Sequence, residues 1–290
     1  MSYAVVINPI SGRGQGAHLG SQVIAYLAEH NIDYQIVSGV SAAHTSQVLG
    51  NYVKDNPESD GVFAVGGDGL AHLVIQHLAN TKIPLALIPA GTGNDMVRTL
   101  GWPLDDLRSI MNAVFSTTPQ YMDLGLVDGE WFGAILSTGF DSIVNERANT
   151  LKWPAGPMKY NVAIARELPG FRPRDYTLVM DGQEIVTKAM LIAVGNGISY
   201  GGGMLVCPNA DITDGLFDVM ILSPVSIPEF LKVFPKVYAG THIQHPAVTI
   251  YRTKRVKIDA DAIAYADGER IGSLPISAEC VPNALLVWRK

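Results

Sequence analysis

Three stretches of this 290-residue chain combine glycines with residues able to handle phosphate or metal. Val62-Phe63-Ala64-Val65-Gly66-Gly67-Asp68-Gly69 reads as a buried strand running into a glycine turn and then a helix. Glycines let the backbone approach a phosphate, and a helix start offers unpaired N–H groups and a positive dipole end. Asp68 cannot cradle phosphate itself, but it can hold a metal ion that bridges phosphates, or orient the water around it. Pro89-Ala90-Gly91-Thr92-Gly93-Asn94-Asp95 repeats the arrangement, and Asn8-Pro9-Ile10-Ser11-Gly12 follows the first strand. Any one of these turns alone is an ordinary way to leave a strand. Together, at the sheet edge where open α/β folds bind ligands, they point to a nucleotide. Two familiar sites are excluded. There is no G-x-x-x-x-G-K-[ST], and Gly12, Gly14 and Gly16 do not space as G-x-G-x-x-G.

The elements that must position these turns alternate between two periods. Short apolar runs at Ala4–Ile7, Tyr34–Val37, Gly61–Val65 and Leu85–Ile88 predict strands. Between them lie helical spacings: Leu19, Val23, Tyr26 and Leu27; then Val48, Leu49, Tyr52 and Val53; then Leu70, Leu73, Val74, His77 and Leu78. This predicts a parallel sheet covered by helices, closed by a helix at about 105–115. After Pro119 the pattern changes. Asp128-Gly129, Asp181-Gly182 and Asp267-Gly268 sit between strand-like runs, as hairpin turns do, so the second half is mainly antiparallel β. Helical inserts are expected near 157–168 and 226–238, and the domain boundary near residue 122. The fold expected is a two-domain α+β protein: 1–122 as an α/β domain and 123–290 as a β-rich domain.

Composition narrows the function classes. Charged residues are 17% and hydrophobic ones 48%, enough apolar material for packed cores. A net charge of −6 does not suggest a broad basic face, so no nucleic-acid partner is expected. Cys207 and Cys280 have no ligand-like spacing, which argues against a disulfide framework or structural zinc. The amino terminus has no basic leader, and no apolar stretch approaches the ~18 residues of a spanning helix. A soluble cytoplasmic protein is expected, at most peripheral on the inner face of a membrane. A homodimer is compatible with the sequence.

The pieces NPISG at 8–12, GGDG at 66–69, PAGTGNDMVRTLG at 89–101 and GFD at 139–141 resemble the diacylglycerol kinase catalytic-domain family. So do GNGISYGGGMLVCPNADITDGLFDV at 195–219 and DGE at 267–269. The resemblance is closest to bacterial soluble lipid kinases and runs over nearly the whole chain; sphingosine kinases and, more distantly, NAD kinases belong to the larger group. It implies a two-domain kinase that binds ATP between its domains and transfers phosphate to a lipid hydroxyl at a membrane surface. Diacylglycerol, giving phosphatidic acid, is the expected acceptor; phosphatidylglycerol or a sphingoid base is the alternative within kinases. The resemblance assigns nucleotide contacts to Asn8, Pro9, Ser11, Gly12, Gly66, Gly67, Asp68, Gly69 and Thr92, with Asn94 in the same turn, Ser38 after the second strand, and Arg13 near the phosphates. Glu269 carries over as the acidic base, with Asp267 beside it; on spacing alone DGE is a plain hairpin turn. A Mg²⁺ ion is implied at Asp211, Asp214 and the Leu216 carbonyl, although these carboxylates also suit a solvated loop.

The sequence departs from the family where Leu70, His72 and Leu73 replace the usual hydroxyl residue, Asn and Glu after GGDG. That substitution favours a second class, a nucleotide- or lipid-binding regulator with weakened catalysis. An acceptor groove is expected near Tyr200–Leu205, and a Trp153–Pro157 loop beside Lys152 and Lys159 is a candidate for headgroup contact, below its reading as a bland loop.

Overall fold

The computed structural model describes residues 2–151 and 158–290. The 153–157 loop considered for headgroup contact lies outside them. The chain forms two compact units, one running up to Leu124 and joined by Pro282–Lys290, the other spanning Gly125–Val281.

The first unit is built on a parallel sheet. Its strands are β1 (Ser2–Ile7), β2 (Asp33–Ile36), β3 (Gly61–Gly66) and β4 (Leu85–Pro89), in the order β2-β1-β3-β4. β3 and β4 are buried along their whole length, as expected of strands covered on both faces. Helices α1 (Gln15–Glu29), α2 (Ala42–Asp55), α3 (Asp68–Leu78), α4 (Asp95–Thr99) and α5 (Leu107–Ser116) connect and cover them. Local chemistry fixes the helix starts: the Ser41 side chain accepts from His44 N–H, and Asp106 from Ser109 N–H. The last nine residues, which the sequence reading leaves with the second domain, belong to this unit. Val287 pairs in parallel with Leu85, and Trp102 Nε1 donates to the Trp288 carbonyl at 2.9 Å.

The second unit contains the hairpins. After β5 (Gln120–Val127) come β6 (Glu130–Phe132), β7 (Ile135–Gly139), α6 (Phe140–Thr150) and α7 (Met158–Glu167). These are followed by β8 (Arg174–Met180), β9 (Gln183–Ala189), β10 (Leu191–Gly195), β11 (Phe217–Leu222) and α8 (Ile227–Val233). The chain ends with β12 (Val248–Thr253), β13 (Arg255–Asp259), β14 (Ile263–Ala266), β15 (Glu269–Ser273) and β16 (Ile276–Val287). One antiparallel sheet has the order β12-β11-β10-β7-β14-β15; β16, β13, β8 and β9 pair antiparallel in another. Their apolar residues, among them Phe132, Tyr176, Ile192 and Phe217, form one buried cluster. All three Asp-Gly pairs make tight hairpins with both residues at positive φ: 48° and 92°, 46° and 90°, 51° and 89°. Among the described residues no helix is long and apolar enough to cross a membrane.

Candidate active site

Within the first unit the three glycine turns converge and touch. A Cβ on Gly12 would stand 2.2 Å from the Ala90 carbonyl oxygen, and one on Gly91 would stand 2.5 Å from Gly67 Cα. Such backbone-to-backbone contact explains the glycines: any side chain would prise the turns apart. Asn8 N–H donates to the Val65 carbonyl, joining the ends of β1 and β3. Gly12, Arg13 and Gly14 all have positive φ, so the first turn winds left-handed and leaves the Arg13 side chain exposed. Ser38 accepts from Ile7 N–H at 2.7 Å, which holds the loop after β2 against the end of β1.

Asp68 fastens the second turn to the third. Its Oδ2 accepts from Asn94 N–H at 2.7 Å, and its Oδ1 from Asp95 N–H at 2.6 Å and Met96 N–H at 3.4 Å. Those amides begin α4, so the carboxylate caps a helix from 26 residues away in sequence. Burial, with the Asp95 charge beside it, raises the Asp68 carboxyl to about 6 against the pull of the three amides. Asn94 is buried and closes its own turn: Gly91 N–H donates to its Oδ1, and its Nδ2 donates to the Gly91 carbonyl, both at 2.9 Å. Thr92 and Gly69 remain exposed at the rim, where a ligand can reach them.

Sequence reasoning overlooked Asp95, although it stands next to Asn94 in the quoted motif. Two carboxylates held so close repel each other, and a divalent cation would relieve that repulsion. Asp68 and Asp95 therefore suit the Mg²⁺ that accompanies a nucleotide triphosphate. Leu70, by contrast, is a core residue: it is buried against Gly66, where a Cβ would meet Leu70 Cδ2 at 2.6 Å.

In the second unit Asp267 and Glu269 share a hairpin but not a role. Asp267 Oδ2 accepts from Gly133 N–H at 2.7 Å, and its Oδ1 from Ala134 and Ile135 N–H at 2.9 and 3.2 Å. Asp181, at the same place in its own hairpin, likewise accepts from Lys254 and Arg255 N–H. Asp267 thus anchors a turn. Glu269 opens β15, is exposed, and its carboxylate makes no hydrogen bond or ion pair among the described residues, so it can accept a proton from a bound substrate.

Asp211, Asp214 and Leu216 lie on one loop ahead of β11. Asp211 Oδ1 accepts from Thr213 N–H and Oγ, Asp214 Oδ1 accepts from Leu216 N–H, and Arg252 pairs with Asp214 Oδ2. Two carboxylates and a carbonyl suit Mg²⁺ by type, but Arg252 already engages one of them. Among the described residues no three His, Cys, Asp or Glu side chains gather as a metal set. The strand registers place Asp218, Gly195 and Ile135 in one row, with Asp267 N–H donating to the Ile135 carbonyl. At roughly 4.8 Å per strand, the loop before Asp218 is about 14 Å from the Asp267 turn. A cation there would be structural. Tyr200 and Met204 pair across a tight glycine turn and pack on the Val206–Met220 cluster, so residues 200–205 make a closed turn.

Asp141 of the GFD segment is buried at the start of α6, and neither carboxylate oxygen finds a hydrogen-bond partner. Burial raises this carboxyl to about 6. Ser137 and the Ser142 amide lie beside it and temper the effect of burial. A raised carboxylate pKa means the native state holds the proton more tightly than the unfolded chain. The penalty is therefore full above pH 6 and is relieved as the pH falls. Asp141→Asn is expected to stabilise the protein by about 1–2 kcal/mol at pH 8, with the gain shrinking toward pH 5. Urea unfolding at the two pH values checks this; equal destabilisation at both would contradict it.

Comparison with known proteins agrees with this architecture. A model of the diacylglycerol kinase catalytic domain matches residues 2–127, and one of the YegS C-terminal NAD kinase β-sandwich-like domain matches residues 134–289. The fold and site define the class as that of the lipid kinases. The chain belongs to the diacylglycerol kinase catalytic-domain family. A diacylglycerol kinase of Mycobacterium tuberculosis is 39% identical over 97% of this chain and 93% of its own length. The Bacillus subtilis diacylglycerol kinase is 28% identical over 93% of this chain and 90% of its own length. The crystal structure of a Bacillus anthracis diacylglycerol kinase shares the fold with a TM-score of 0.74 at 19% identity, covering 100% of this chain and 97% of that one.

Proposed function

We propose that the protein transfers the γ-phosphoryl group of Mg²⁺-ATP to a lipid hydroxyl, with diacylglycerol as acceptor and phosphatidic acid as product. The observation that carries the reading is the contact of three glycine turns, locked by Asp68, which leaves the turn backbone and the start of α3 to meet phosphate. Bound Mg²⁺ would neutralise phosphate charge beside Asp68 and Asp95. Asn8, Pro9, Ser11, Gly12, Gly67, Gly69 and Thr92 form the nucleotide rim, Gly66, Ser38 and Asn94 hold its turns, and Arg13 brings positive charge. Glu269 accepts the acceptor's hydroxyl proton as that oxygen bonds to the γ-phosphorus and the bond to ADP breaks. A second, structural cation at Asp211, Asp214 and the Leu216 carbonyl would have to displace Arg252 from Asp214. The relatives' names support diacylglycerol over phosphatidylglycerol or a sphingoid base. Offering all three in mixed micelles with labelled ATP tests the choice: labelled phosphatidic acid is expected, and label in another lipid alone would replace the acceptor.

Leu70 is the feature favouring a regulator without turnover. Its packing on Gly66 explains it as core, with phosphate left to backbone amides. Leu70→Thr is accordingly expected to cost about 1–2 kcal/mol of stability with no gain in kcat beyond a few-fold. A large gain would mean that a lost hydroxyl had crippled the phosphate site.

A further inference from the structure

An apolar stripe runs along α8 and the 3₁₀ turn Phe234–Ala239 that continues it. Phe230 packs inward on Phe140, and Phe234 stacks on Phe230. The outward positions are apolar too: Ile227 is 40% exposed, Leu231 56% and Tyr238 52%, with Pro235 exposed between them. Spacings of four, four and three residues keep these side chains on one face. Lys232 and Lys236 flank the stripe, exposed, with no acidic partner among the described residues. The nearest acid, Glu229, is engaged by His245 at 3.3 Å.

We infer that this face docks the protein on an anionic phospholipid bilayer. The inference rests on the lipid-kinase reading for its purpose, since an acceptor with long acyl chains must be met at a membrane. The chemistry of the face selects the partner. Leucine and isoleucine side chains enter the acyl boundary, a tyrosine settles at the headgroup level, and lysines meet lipid phosphates. The chain carries a net charge of −6, so general attraction to an anionic surface is unfavourable and a local basic flank is needed to orient the approach.

The test sediments the protein with vesicles of phosphatidylcholine alone or mixed with phosphatidylglycerol. Wild type is expected to bind the mixed vesicles and to bind phosphatidylcholine weakly. The double variants Leu231→Asp/Tyr238→Asp and Lys232→Glu/Lys236→Glu should each lose about tenfold or more in affinity. Both should keep wild-type phosphotransfer to dispersed dioctanoylglycerol, which needs no bilayer. Absence of wild-type binding, or variants that bind as wild type does, would overturn the inference. So would a dimeric wild type that Leu231→Asp/Tyr238→Asp converts to a monomer with vesicle binding intact, because the stripe would then serve a second copy. Vesicle binding by a wild type that phosphorylates nothing would uphold the docking face while removing the kinase reading.

Discussion

Glu269→Gln is expected to lower kcat by about 10²–10⁴-fold while leaving thermal stability and nucleotide binding near wild type. Glu269 is exposed and its carboxylate makes no bond among the described residues, so replacing it removes no structural contact. Glutamine keeps the size and polarity but cannot take a proton. Asp267→Asn should show the reverse balance. Three backbone amides depend on that carboxylate, and weakening them is expected to cost about 1–3 kcal/mol, with activity falling less than in Glu269→Gln. Steady-state kinetics beside thermal melts of the two variants separate the roles. Equal stability losses with Asp267→Asn the less active would reverse the assignment of the base.

Asp68→Ala should be the most damaging single change in the first unit. It leaves the amides of Asn94, Asp95 and Met96 without their acceptor and releases the third glycine turn from the second. Uncapping them is expected to cost about 2–4 kcal/mol. Displacing the phosphate-binding backbone by about 1 Å should cost a further ~100-fold or more in kcat/KM. Nucleotide affinity, unfolding free energy and kcat/KM should all fall together. An Asp68→Ala protein as stable as wild type would contradict the capping role.

The fold was legible where local chemistry dictates it. Alternating strand and helix periods announced the parallel sheet, and Asp-Gly pairs announced the hairpins, because each follows from a local backbone preference. The convergence of the turns could be anticipated from the open α/β edge, but the lock between them could not. The capping role of Asp68 was hidden because its partners lie 26 to 28 residues on, in a turn whose amides carry no sequence signal. The return of Pro282–Lys290 to the first unit was hidden for a similar reason. A strand's sequence records that it pairs, without recording with which neighbour. Leu70 read as a lost hydroxyl, whereas packing shows what the leucine supplies: a buried side chain that fills the space over Gly66.

Phosphate transfer is the central claim, and the most direct test is a single measurement on the wild-type protein. Labelled ATP and Mg²⁺ are incubated with diacylglycerol in mixed micelles, and the lipid extract is resolved. Labelled phosphatidic acid, absent when Mg²⁺ is chelated, is the predicted result. Unlabelled lipid from a protein that still binds ATP would contradict the account and leave a nucleotide-binding protein without transfer.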